Sequence, residues 1–172
     1  VLQRTSQGWL RVAELSVAGR PTDATYGHEV ALAGDLALVA SGGSDRATYV
    51  FERQGASWTR TARLPRAGLL AVAANQIFVA TAEPSLFFQG EVHVFQRTLT
   101  GWSETQVLAA PAPAGQDSFG HDLALSGNRL LVAQPNTTEV HEFERIDGVW
   151  TPRATILAPA GAVGFGIAVD LD

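Results

Sequence analysis

The chain has no cysteine, no methionine and no lysine. Without cysteine there are no disulfides, no thiolate metal ligands and no thiol nucleophile, so stability has to come from packing. Without methionine even at position 1, Val1 is not a translation start, and the chain is expected to be processed or cut from something longer. Long apolar runs are missing too: none approaches the roughly 20 residues that cross a bilayer, and no signal-peptide pattern stands at the N-terminus. Because lysine is absent, all twelve basic residues are arginine, set against seventeen acidic ones for a net charge of −5. The arginines are spread from Arg4 to Arg153 and form no basic patch, which argues against a nucleic-acid partner. Arginine used to the exclusion of lysine is the bias expected of a GC-rich, bacterial genome. What is present, 46% hydrophobic and 17% charged residues over 172 positions, is ordinary for a packed domain and unlike disorder.

An internal repeat organises those residues. Tryptophan recurs at Trp9, Trp58, Trp102 and Trp150, at spacings of 49, 44 and 48 residues. Six residues after each stands Leu15, Leu64, Leu108 or Ile156, and Ala13, Ala62 and Ala154 occupy matching positions. Even spacing predicts one strand with the Trp and the aliphatic residue on the same face. A second strand precedes each Trp: Tyr49-Val50-Phe51-Glu52-Arg53, Val92-His93-Val94-Phe95-Gln96-Arg97 and Val140-His141-Glu142-Phe143-Glu144-Arg145, with Val1-Leu2-Gln3-Arg4 as a shortened counterpart. Hairpins with Gly-Asp, Ala-Asn or Gly-Asn at the turn come earlier still, over 30–40, 70–80 and 123–133. Each period therefore holds four short strands, A to D in chain order, and no helix. Pro152 fits an outermost strand D, where a missing backbone donor is tolerated.

Four strands in about 45 residues is the pattern of a β-propeller blade. A β-sandwich or a β-solenoid is the structural rival. Tyr26-Gly27, Phe119-Gly120 and Phe165-Gly166 open strand A, followed by the Val-Ala-Leu-x-Gly-Asp type of hairpin and the aromatic strand ending in Phe-Glu-Arg. With these motifs in register over nearly its whole length, the chain resembles the FG-GAP repeat family, in its bacterial form and more distantly as in the propeller of integrin α-subunits. The resemblance implies an all-β propeller segment with blades at 26–64, 68–108 and 119–157. Residues 1–15 would supply strands C and D of a partial blade, and 165–172 the first strand of another. Two departures stand out. The second unit has Ala67-Gly68 in place of Phe-Gly and is degenerate. The A–B turns are two or three residues long with one acid at most, Asp35, so the family's calcium sites do not carry over. No metal and no cofactor are expected.

Alternation sends the tight A–B and C–D turns to one end of the sheets. The longer connections, 16–25, 41–47, 81–90, 109–118, 134–138 and 158–164, share the other end, which is the expected binding surface. Candidate partner contacts there are Asp45, Arg46, Asn136 and the apolar triplet Leu86-Phe87-Phe88. The triplet reads either as a contact surface or as filling for the degenerate blade. His28-Glu29 and His121-Asp122 start strand A at matching positions near the expected channel, as candidate ligand groups or as structural hydrogen-bonding residues. His93 and His141 match Tyr49 and read as packing residues. Asn136-Thr137-Thr138 is a formal glycosylation sequon.

No Gly-x-Ser-x-Gly elbow, His-Glu-x-x-His pair or phosphate loop occurs, and Asp117, Ser118 and His121 are close only in sequence. The expectation is a non-catalytic binding module of a secreted, cell-surface or periplasmic protein, presenting its long loops to a protein partner. A carbohydrate-binding propeller and an enzyme with a channel site are the alternatives. Three complete blades with partial ones at each end are expected not to close as a monomer, but to join further blades in the same chain or by association.

Overall fold

The computed structural model describes residues 1–73, 75–81, 90–112 and 118–172. Every described strand belongs to one of four antiparallel sheets. The first is a pair, β1 (Leu2–Thr5) and β2 (Gly8–Arg11). The second holds β3 (Tyr26–Ala33), β4 (Leu36–Ser41), β5 (Ala47–Gln54) and β6 (Ser57–Leu64). The third holds β7 (Leu69–Ala73), β8 (Gln76–Ala80), β9 (Glu91–Thr98) and β10 (Gly101–Ala109). The fourth holds β11 (Leu123–Ser126), β12 (Arg129–Gln134), β13 (Glu139–Ile146) and β14 (Val149–Leu157). Within each sheet the strands lie in chain order, and among the described residues the one helical element is a single 3-10 turn at Pro135–Thr137. The tight turns follow from backbone chemistry: Gly34 and Gly127 both have φ near +58°, a region that costs glycine nothing, and each precedes Asp35 or Asn128.

The sheets stack in sequence. First strands adjoin one another, β3 with β7 and β7 with β11, and last strands do likewise, β6 with β10 and β10 with β14. This stacking needs strands apolar on both faces, and β4, β8 and β12 are. Leu36 and Leu38 face forward to the third sheet, while Ala37 and Val39 face back toward the first. Ile77 and Val79 face back, Phe78 and Ala80 forward; Leu130 and Val132 face back, Leu131 forward. Each side chain of Val, Leu or Phe buried in this way contributes about 1.5–3 kcal/mol.

The even spacing after tryptophan misleads, because the last strand of each four-stranded sheet carries a β-bulge. Thr61, Thr105 and Arg153, each three residues after a Trp, are skipped in the pairing with the strand before. One extra residue reverses the alternation, so Trp and the aliphatic residue six positions on face opposite ways. Trp58 packs back against Tyr49 and Phe51, whereas Ala62 and Leu64 pack forward; Trp102 packs back and Leu108 forward.

The tryptophans differ in burial, and the two extremes follow whether a sheet stands behind them. Trp150, with the whole third sheet behind it, is 2% exposed and meets Phe78 edge-on at 5.4 Å. Trp102 and Trp58 are half-buried, and Trp9, with none, is 70% exposed. The Phe-Glu-Arg strand ends do a similar job along the stack. Arg97 donates to Glu52 of the sheet behind at 2.6 Å, and Arg145 donates to Gln96, the match of Glu52, at 3.4 Å.

Residues 165–172, expected as a strand, form none: a turn at 165–166 and a bend at 167–168 lead into irregular chain. A strand needs a hydrogen-bonded neighbour, and no described strand flanks this segment. Its apolar side chains are nonetheless packed: Phe165, Val169 and Leu171 lie on Ala124, Leu131 and Val140.

Candidate functional site

Antiparallel pairing puts both kinds of longer connection, second strand to third and sheet to sheet, at one end of each sheet, opposite the two-residue turns. At that end the loops are tied together across 18 to 21 residues of chain. The Asp23 carboxylate, ahead of β3, accepts the Ser44 hydroxyl at 2.7 Å and the Ser44 backbone N–H at 3.1 Å. Those bonds hold the Asp23 carboxyl below its usual value. In the fourth sheet the Asn136 amide donates to the Ser118 hydroxyl at 2.8 Å, joining the same two kinds of loop. Gly43 makes the first clasp feasible, since a Cβ there would stand 2.4 Å from the Asp23 carbonyl oxygen.

Asp45 is placed inward. Only 8% exposed, it accepts the Tyr49 hydroxyl at 3.0 Å, and Arg63 donates to its carboxylate at 3.0 Å and to its carbonyl at 2.7 Å. Burial opposes its charge, but the bonds from Arg63 and Tyr49 help to outweigh that, and its carboxyl is held low. Arg46, its neighbour, is exposed with φ of 39°, so the loop turns sharply there and presents this guanidinium at the surface. Asn136 is exposed as well. Leu86, Phe87 and Phe88 lie outside the described residues, as does Asp117.

The groups expected around a channel are only partly brought together. Burial pushes the Glu29 carboxyl up; the His28 charge opposes this and the negative charge of Asp122 adds to it. Asp122 is already employed, accepting Leu123 N–H at 2.9 Å and Val169 N–H at 2.8 Å. His28 is exposed with Nδ1 3.0 Å from the Thr25 carbonyl, and His121 is half-buried. Among the described residues no three His, Asp or Glu side chains gather as a metal-binding group.

His93 and His141 are both 3% exposed, at the positions of Tyr49. Arg66 donates to His93 Nε2 at 3.2 Å, and His141 lies between Gln134 and Thr155 with its ring 5.6 Å from Phe119. The loop clasps and the Arg63 bond to Asp45 are not visible in the repeat, because each has at least one partner in a connection of unequal length. Chemically the loop end offers hydrogen-bond and ion-pair partners on a backbone held in place by its own side chains.

No family model matches the chain, and no curated protein matches it. No described helix is long and apolar enough to cross a membrane.

Proposed function

We propose that this chain is a segment of an FG-GAP-type β-propeller, bacterial and exported or surface-bound, that binds a protein partner through its long-loop end without catalysis. The propeller reading is supported by three four-stranded sheets of identical strand order, stacked with first strands together and last strands together. The observation that carries the binding reading is the pair of loop clasps, Asp23 to Ser44 and Asn136 to Ser118. Both fix longer connections of a unit in one conformation, which lowers the entropy cost of presenting them to a partner. Arg46 and Asn136 then stand as contact residues, with Asp45 holding the loop that carries Arg46.

The test is site-directed photo-crosslinking. A crosslinker at position 46 or 136 should capture one protein species from the host's envelope fraction, and the same group at Gly55, in a turn of the opposite end, should not. Equal capture from both ends overturns the reading. So does reproducible binding on a glycan array that is lost on changing loop residues, since that makes the surface a sugar site.

A further inference from the structure

Each four-stranded sheet buries a polar side chain at one matching position of its third strand: Tyr49, His93 or His141. Tyr49 donates its hydroxyl to Asp45, and a phenol has no site for a second proton. At His141, Nε2 lies against Gln134 Oε1, an acceptor, and Nδ1 against the Thr155 hydroxyl, which can give or take a hydrogen. A second proton on that ring leaves both of these bonds in place.

His93 is arranged the other way. Its Nε2 accepts from Arg66 Nε at 3.2 Å, so the ring hydrogen sits on Nδ1. That nitrogen is buried without a hydrogen-bond partner among the described residues, with the Glu104 carboxylate 3.5 Å away. The Glu91 carboxylate stands 3.5 Å from Nε2. Among the described residues, then, the charged groups facing the ring are Arg66 from the connection between the second and third sheets, Glu91 from its own strand and Glu104 from β10. Its pairing neighbours on β8 and β10, Val79 and Val107, carry no charge. A proton on Nε2 takes the lone pair that Arg66 uses, sets two positive charges side by side and gives each ring nitrogen a carboxylate to face.

The bond so broken joins two sheets. The Arg66 carbonyl accepts the Thr48 hydroxyl of β5 at 2.9 Å, while its side chain reaches β9. Two residues on, a Cβ at Gly68 would stand 1.7 Å from the Ala80 carbonyl oxygen, so the backbone is fitted closely to the end of β8. Only the side chain of Arg66 is left to move.

We propose that His93 is a proton-operated latch between the second and third sheets. Neutral, it holds the Arg66 side chain; charged, it is held by Glu91 and Glu104 and releases that guanidinium to solvent at the loop end. The latch rests on the contact between these two sheets and is independent of the binding reading.

NMR on the full chain, from about pH 8 to about pH 5, decides it by following the Arg66 Nε–H and the His93 ring Cε1–H. The two signals are expected to titrate with one midpoint. Arg66→Ala removes the positive charge facing the ring, and by linkage should raise the pH at which His93 charges by about half a unit or more. In His93→Gln, whose amide oxygen can still accept from Arg66, the Arg66 signal should stay fixed across the range. The proposal is overturned if His93 takes up no proton above about pH 5, if it does so while the Arg66 signal stays fixed, or if the midpoint in Arg66→Ala is unmoved or lower. Titration of the parent alone supports or overturns the latch, so a variant that fails to fold leaves the experiment decisive.

Discussion

The side-chain amide of Gln106 in β10 makes both backbone hydrogen bonds of Trp150 in β14: its Nε2 donates to the Trp150 carbonyl at 2.6 Å, and Trp150 N–H donates to its Oε1 at 2.9 Å. One residue thereby stands in for a strand between two sheets that share no backbone ladder. Gln106→Ala leaves two part-buried backbone groups without partners, and should cost about 1–3 kcal/mol by urea denaturation. A loss below about 0.5 kcal/mol would mean that water replaces the amide at no cost.

The tryptophans should show a gradient set by how deeply each is buried. Trp150→Ala is expected to cost about 3–5 kcal/mol, as for a fully buried aromatic. Trp102→Ala and Trp58→Ala should cost less, and Trp9→Ala should stay within about 0.5 kcal/mol. Equal losses at Trp9 and Trp150 in denaturant titrations would contradict the stacking.

Gly120→Ala and Gly27→Ala impose nearly the same backbone penalty, at φ of 85° and 83°, but only the first adds a methyl against Ala80. Gly120→Ala should therefore lower the melting temperature more. The difference measures how tightly one sheet sits on the next. Identical shifts would show that conformation alone selects glycine in the Phe-Gly and Tyr-Gly pairs.

Asp45 ties part of the stability to pH. Its carboxyl is held below the ordinary value, so its bonds contribute stability above the usual Asp range, near 3.9, and that contribution is lost as pH falls through the lowered value. Asp45→Asn should be less stable than the parent at pH 7, by about 1–3 kcal/mol since Arg63 is half exposed and partly screened. The two proteins should converge as the medium becomes more acid. A gap that widens toward low pH would reverse the sign and refute the assignment.

Most of the strand framework was legible because it repeats. The aromatic strands ending in arginine and the Gly-Asp and Gly-Asn turns were readable from their repetition. The facing of Trp58 relative to Leu64 was not, because alternation reads the wrong phase across a bulge that leaves no residue-type mark: the skipped residue is Thr, Thr or Arg. Residues 165–172 read as a strand from the Phe-Gly match to the other units, yet strand geometry depends on a neighbour that the segment's own residues do not encode. At the candidate site Asp45 looked like a loop carboxylate. Its burial depends on Tyr49 and Arg63, the latter 18 residues away, and a single sequence does not display such pairings.

The bulge also bears on how such a chain can change in length. Trp-to-Trp distances vary, at 49, 44 and 48 residues, but the step from each Trp to the next matching aliphatic residue is always six, and in the three four-stranded sheets it spans the bulge. Removing the skipped residue would turn either the tryptophan or the Leu out of its core, whereas the loops absorb added residues without disturbing any face. Insertions and deletions in this lineage are therefore expected to accumulate at the loop end and to spare that six-residue frame, so repeats that diverge in every other respect should keep it as their shared measure.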